Sequence, residues 1–196
     1  MFERTAILLL ASGLSSRFET GDKLLAPLSG RTVLDHAADA LSGASPAARI
    51  AVVGVGQDAR RAALEARGFD IVINPEPARG QGHSLALGAA RVRDMTQAET
   101  LLILLADMPN VSDSHLTNLA AAHANGAQAV MTRTGDVLCP PALFARASFD
   151  ALACLNGDQG ARSVFFSCDQ RTTVETTPDE VMDIDCIADL RRMETQ

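Results

Sequence analysis

Apolar residues fall in short runs bounded by turn residues. Between the runs the pattern changes to the three-to-four-residue repeat of amphipathic helices. Strands are predicted over 5–10, 49–55, 70–73, 100–106 and 127–131. The fourth is apolar without alternation, as a strand buried on both faces must be. Helices are predicted over 32–41, 57–67, 82–95 and 113–124, with Ser112 capping the last and Gly68 ending the second. Strands that alternate with helices imply an α/β fold: a Rossmann-like, mainly parallel sheet with flanking helices, joined by right-handed crossovers. After residue 132 the regularity weakens. Cys139-Pro140-Pro141 interrupts it, short helices are expected over 141–155 and 158–168, and a late strand over 172–175. Residues 181–185 alternate apolar and acidic positions as a strand would, then enter a short helix over 187–193. No linker, charge run or internal repeat divides the chain, so one domain over 1–196 is expected.

Composition narrows the function. Of 196 residues 47% are apolar, enough for one sizeable core, and 21% charged residues with 14 Gly and 8 Pro exclude extensive disorder. A formal charge of −7 argues against holding nucleic acid or an anionic membrane through a general positive field, so bound phosphate must be met locally. With no Trp or Tyr and seven scattered Phe, there is no platform for stacking single-stranded nucleic acid. The apolar run 6–11 is too short for a signal peptide or a membrane span, which leads to the expectation of a cytoplasmic protein. Cys139, Cys154, Cys168 and Cys186 are widely spaced and read as reduced thiols. The four His residues form no zinc pattern, and His123 continues the helical stripe of Leu116, Leu119 and Ala120.

Three places can carry chemistry. The first strand runs into Ala11-Ser12-Gly13-Leu14-Ser15-Ser16-Arg17, a turn whose small residues let backbone N–H groups approach an anion, with Arg17 and Lys23 as local charge. It is not a P-loop, because the G-x-x-x-x-G-K-[ST] pattern is absent. Asp107 stands where the buried 100–106 strand emerges, the edge at which open α/β sheets place ligands. A carboxylate there needs a helix end, a base or a cation, and magnesium is the natural cation beside phosphates. Asp183 and Asp185 share a face on strand periodicity, and Asp185, nearer the exit, is the better second metal ligand. A fourth candidate, Gly54-Val55-Gly56-Gln57-Asp58-Ala59, fits the loose dinucleotide fingerprint but follows the second strand and lacks a clear ribose-binding acid.

In this order the residues resemble the molybdenum cofactor cytidylyltransferase group, the MobA/MocA-like NTP transferases, over nearly the whole chain. The opening turn, followed by Gly21-Asp22-Lys23-Leu24-Leu25, is similar to that family's A-A-G-x-S-x-R, Gly and Lys motif. Asn74-Pro75 and Gly80-Gln81-Gly82-His83-Ser84-Leu85 resemble its N-P segment and S-L-x-x-G loop. Leu104-Leu105-Ala106-Asp107-Met108-Pro109 resembles its A-D-M-P, Gly157-Asp158-Gln159-Gly160-Ala161-Arg162 its G-D-x-G-A-R, and Asp183-Ile184-Asp185 its D-I-D-T-P.

The resemblance implies a magnesium-dependent transfer of CMP from CTP to the phosphate of a molybdopterin-type cofactor, with a molybdoenzyme or its chaperone as recipient. It implies Arg17, Lys23 and Asp107 as catalytic residues and Asp107 with Asp185 as metal ligands. It also implies Ala11, Ser12, Gly13, Ser15, Ser16, Gly80, Gln81 and Ser84 around the nucleotide, and Asp158 with Arg162 toward the second substrate. The chain departs from the pattern at Ser12, at Glu19 in place of Gly, and at Lys23, which comes one residue late. Cys139-Pro140-Pro141-Ala142-Leu143-Phe144 stands for G-H-P-x-L-F without its His, and Cys186-Ile187 for T-P. The alternatives are GTP as donor, another phosphorylated metabolite as acceptor, or a non-catalytic protein that carries the pterin cofactor.

Overall fold

In the computed structural model, which describes residues 1–19, 21–40 and 42–195, the apolar runs assemble into one seven-stranded sheet. Its strands are β1 (Thr5–Leu10), β4 (Ala48–Gly54), β5 (Asp70–Asn74), β6 (Thr100–Leu105), β7 (Ala129–Thr134), β8 (Val137–Ala145) and β9 (Arg171–Glu175), in the order β5-β4-β1-β6-β8-β7-β9. A separate small hairpin joins β2 (Pro27–Leu28) to β3 (Arg31–Thr32). All pairings in the large sheet are parallel except those of β8, which runs antiparallel to both β6 and β7.

The two-residue periodicity of the central strands divides the core in two. Ile7, Leu9, Leu102 and Leu104 face one layer of helices: α1 (Val33–Ala38), α2 (Asp58–Glu65), α4 (Asp113–Ala124) and α7 (Ile187–Glu194). Leu8, Leu101 and Ile103 face the other: α3 (Gln81–Met95), α5 (Phe149–Ala153) and α6 (Arg162–Ser167). Each fully buried Leu contributes about 1.5–3 kcal/mol, so these strands anchor the molecule. Helix α3 lies close on β1 because Gly88 has no side chain: a Cβ there would sit 2.4 Å from Leu8 Cδ1. No helix among the described residues is long and apolar enough to cross a membrane, and all four cysteines are free thiols.

The front half follows the expected order closely, and Ser112 caps α4 through its side chain. The expected end of α1 at Leu41 lies outside the described residues; the helix proper stops at Ala38. The back half corrects three expectations. The helix expected over 141–155 is a strand through Ala145, a 3-10 turn over Arg146–Ser148 and α-helical only at Phe149–Ala153. Ala142 and Phe144 pack on one face of the sheet and Leu143 on the other, the strand period. Pro140 and Pro141, which cannot donate to a ladder, occupy a bulge: Met131 pairs with Ala142 and Thr132 with Cys139. The helix expected over 158–168 begins only at Arg162, because the preceding loop turns at Gly157 (φ +59°). Among the described residues, 181–185 join no ladder; the Ile184 N–H donates to Asp107 C=O (2.9 Å) and the Asp185 N–H to Asp189 Oδ2 (3.0 Å).

Candidate functional site

From β1 the chain builds outward to β4 and β5, then returns to place β6 on the other side of β1. At such a reversal the loops leaving two neighbouring strands diverge and open a crevice at their carboxyl ends. Here the crevice has a volume of about 280 Å³, and its walls include Ser12, Gly13, Gly80, Gln81, Ser84 and Asp107.

On one wall a buried hydrogen-bonded chain joins three loops. Asn74 Nδ2 donates to Ser84 Oγ (2.9 Å), which shares a 2.6 Å hydrogen bond with Ser12 Oγ. Asn74 Oδ1 accepts from the Glu76 N–H (2.8 Å). Gly80 and Gly82 are required by close approach: a Cβ on Gly80 would lie 2.5 Å from Asp158 Oδ1, and one on Gly82 2.3 Å from the Gln159 carbonyl. The Gly82 N–H donates to Gly157 C=O (2.8 Å), so the Gly157–Gly160 turn backs the Gly80–Ser84 turn. Asp158 therefore stands exposed beside Gly80. Arg162 is directed elsewhere, its guanidinium 5.6 Å from the centre of the Phe166 ring.

At the mouth of the crevice four charges meet from distant parts of the chain. Lys23 Nζ donates to Asp107 Oδ2 (2.7 Å) and Asp185 Oδ1 (3.0 Å), and Arg17 Nη1 lies 2.7 Å from Asp185 Oδ2. Burial alone lowers the Lys23 pKa, but the Asp107 and Asp185 carboxylates outweigh it and hold the ammonium above its ordinary value. Asp183 lies close enough to be affected in the opposite sense: burial, then the charges of Asp185 and Asp107, raise its pKa. The other carboxylate oxygen, Asp107 Oδ1, is buried and has no hydrogen-bond partner among the described residues. An orphaned acceptor of this kind suits a hard cation. Among the described residues no set of three or more His, Cys, Asp or Glu forms a cage, so a divalent ion on Asp107 and Asp185 would take its remaining ligands from phosphate and water.

The departures from the motif pattern have physical counterparts. Glu19 Oε2 accepts from the Ile187 N–H (3.4 Å) and ties the opening loop to α7. Cys186 caps α7 with Asp189 answering it, the Cys186 N–H lying 2.8 Å from Asp189 Oδ2, so the Asp185 carboxylate is left to the charge cluster. Cys139 lies in the β8 bulge, its thiol pushed up to about 11 by burial and by Asp183.

Sequence reasoning missed Arg60 and Gln57, which reach from α2 and the turn before it under the Ala11–Ser15 loop. Arg60 is 2% exposed and bonded to Ala11, Gly13, Ser15 and Asp22. The signal was present: Arg60 precedes the buried Leu64 by four positions and shares its face of the helix. Gln57 also closes the Gly54–Ala59 turn, its Oε1 accepting from the Gly54 N–H (2.7 Å) and lying 2.9 Å from where a Cβ of Gly54 would stand.

A small-residue turn at the end of β1, facing two carboxylates already paired with cations, defines a nucleotidyl-transferring domain rather than a dinucleotide-binding one. Residues 7–173 match the model of the MobA-like NTP transferase domain, and the chain belongs to that family. Bifunctional protein GlmU from Bordetella petrii is 31% identical over 131 residues, 66% of this chain and 28% of the relative, so the chain spans less than a third of that curated protein. The crystal structure of Rv0371c from Mycobacterium tuberculosis superposes with a TM-score of 0.83 at 28% identity over 100% of both chains. Its complex with manganese does so at 0.76 and 26%, over 98% of each. Molybdopterin-guanine dinucleotide biosynthesis protein A from Archaeoglobus fulgidus shares the fold, at a TM-score of 0.65 and 16% identity over 97% of each chain.

Proposed function

We propose that the chain transfers CMP from CTP to the phosphate of a molybdopterin-type cofactor and releases pyrophosphate. The observation that carries the reading is Lys23 lying between Asp107 and Asp185 at the mouth of the Gly13 crevice. The Ser12, Gly13 and Leu14 backbone receives the triphosphate, and Lys23 and Arg17 bear on its charge. Asp107 and Asp185 would hold magnesium, which when bound neutralises charge on the α-phosphate and on the departing pyrophosphate. An oxygen of the acceptor phosphate attacks the α-phosphorus, and the bond to the bridging oxygen breaks with its electron pair leaving on pyrophosphate. Phosphate monoesters are largely ionised at neutral pH, so the residues align and stabilise rather than move a proton. The family match supports the triphosphate, and the manganese complex of Rv0371c supports a divalent ion.

The test is pyrophosphate release by the purified chain with magnesium, molybdopterin and each of four triphosphates. Asp107→Ala is expected to lose about 10²–10³-fold in turnover; wild-type turnover in that variant would remove Asp107 from the mechanism. Cys139 in place of the motif His favours one second reading, a different phosphorylated acceptor. Exclusive use of a sugar phosphate would establish it and overturn the pterin.

A further inference from the structure

The guanidinium of Arg60 has five N–H donors, and all five are used. Nε donates to Asp22 Oδ2 (2.7 Å) and Nη2 to Asp22 Oδ1 (2.6 Å), a two-pronged grip on one carboxylate. Nη2 also donates to Ser15 Oγ (3.0 Å), and Nη1 to the carbonyls of Ala11 and Gly13 (2.7 Å each). Gln57, just before α2, adds bonds from its Nε2 to Gly13 C=O (3.0 Å) and Ser12 C=O (3.4 Å). Three successive loop carbonyls are thus turned toward α2.

In a planar trans peptide the N–H points opposite to the carbonyl of the preceding residue. Drawing the Ala11, Ser12 and Gly13 carbonyls toward Arg60 and Gln57 therefore turns the N–H groups of Ser12, Gly13 and Leu14 the other way. Those three N–H groups make no hydrogen bond among the described residues, and all three residues line the crevice. Ser15 follows at φ +53°, a left-handed conformation that a serine adopts only when its surroundings hold it there. Its Oγ is held between Arg60 and the Lys23 N–H (3.3 Å). Asp22, gripped by Arg60, accepts from the Leu24 N–H (3.0 Å) and so starts the 3-10 turn that carries Lys23.

We propose that Arg60 is the positioning residue of the nucleotide site. From beneath, it sets the outward N–H groups of Ser12 to Leu14 and the place of Lys23 without itself touching substrate. This rests on the reading of the crevice as a triphosphate site. A lysine at this position has three donors on one atom and cannot span the carbonyl pair, Ser15 and Asp22 together.

The experiment is calorimetric titration of CTP with magnesium into the wild-type chain and the variants Arg60→Lys, Asp22→Asn and Arg67→Lys, with melting temperatures and steady-state kinetics alongside. Arg67 serves as control, because its guanidinium ties the end of α2 to Asp35 and Asp39 and, among the described residues, makes no hydrogen bond to the Ala11–Lys23 loop. Arg60→Lys is expected to weaken CTP binding at least about tenfold, about the value of one hydrogen bond to a charged group lost when the loop N–H groups are misplaced. Asp22→Asn shifts it the same way by less, and Arg67→Lys leaves it within twofold. In turnover, the Arg60 variant raises KM for the triphosphate and leaves KM for the acceptor unchanged. A merely structural loss lowers kcat through the active fraction and moves neither KM. Unchanged CTP affinity in a folded Arg60→Lys overturns the proposal. If that variant does not fold, unchanged affinity in Asp22→Asn does so. An equal loss in Arg67→Lys also overturns it. A wild-type chain that binds no triphosphate overturns the nucleotide reading itself, a separate outcome.

Discussion

Lys23 stands where a divalent ion would compete. Its ammonium bridges both candidate metal carboxylates, so an ion approaching Asp107 and Asp185 has to displace a buried, hydrogen-bonded cation. Lys23→Met removes that competitor and the phosphate-facing charge together. The expected outcome is tighter binding of manganese in the absence of nucleotide and weaker binding of CTP, both read by calorimetry. Manganese affinity equal to wild type would show that Lys23 does not guard the carboxylates. Beside it, Ser84→Ala leaves Asn74 Nδ2 buried without its acceptor and removes the partner of Ser12 Oγ. An unsatisfied buried polar group costs about 1–3 kcal/mol, so urea unfolding is expected to show a loss of that size. Asp107 and Ser12 were legible because they follow apolar strands at their exits, where a polar side chain has no packing reason to be; Lys23 was legible as the local charge after the small-residue turn, and Ser84 only through the resemblance. Arg60 was not. A charged residue on a short helix reads as solvated unless its partners are known, and its partners lie 38 to 49 positions away.

At the scale of elements, the segment after β9 decides whether Asp185 reaches Asp107. Glu180 clasps it to the start of α4: its Oε1 accepts from the Ser112 N–H (3.1 Å) and the Ser112 hydroxyl, its Oε2 from the Thr176 hydroxyl. Burial works against its ionisation, but these hydrogen bonds outweigh burial and bring the Glu180 pKa below its ordinary 4.5. A carboxylate depressed in the folded state adds stability that is fully present above the unfolded pKa and lost as pH falls through the folded one. Glu180→Gln is therefore expected to melt lower than wild type at pH 7, with the gap closing below about pH 4.5. A gap that stays constant down to pH 3 would assign the effect to packing rather than charge. Gly82 tests the opposite wall. An alanine there meets the Gln159 and Gly157 carbonyls at 2.3 and 2.8 Å, and backbone cannot swing aside as a side chain can. Gly82→Ala is expected to push the Gly157–Gly160 turn off α3, lowering both the melting temperature and CTP affinity. The long buried strands were legible because no other element is apolar without alternation over so few residues. Strand β8 was misread since two prolines signal a break unless the bulge that accommodates them is known, and a bulge is set by the partner strand.

Across the whole molecule, the charge distribution would couple the proposed triphosphate to the proposed divalent ion. The chain carries −7 overall, yet at its crevice Arg17 and Lys23 are neutralised by Asp185 and Asp107. A triphosphate arriving alone meets cations already engaged by carboxylates, and a divalent ion arriving alone meets carboxylates already engaged by cations. On the proposed reading, Asp107 and Asp185 would turn to the ion, and Lys23 and Arg17 would then be free to face phosphate. Binding should therefore be synergistic, and thermal stability reports it because a ligand that binds only the native state raises the melting temperature. Magnesium alone and CTP alone are each expected to shift the melt by no more than about 1–2 °C at concentrations where the pair is near 100 times its dissociation constant. The pair then contributes about 2.7 kcal/mol, a shift of about 5–10 °C for a chain of this size. In Asp185→Asn, which frees Arg17 and half of the Lys23 grip, CTP alone gains affinity and the excess of the pair over its parts shrinks. Shifts that simply add in the wild-type chain would mean that the four charges do not exchange partners.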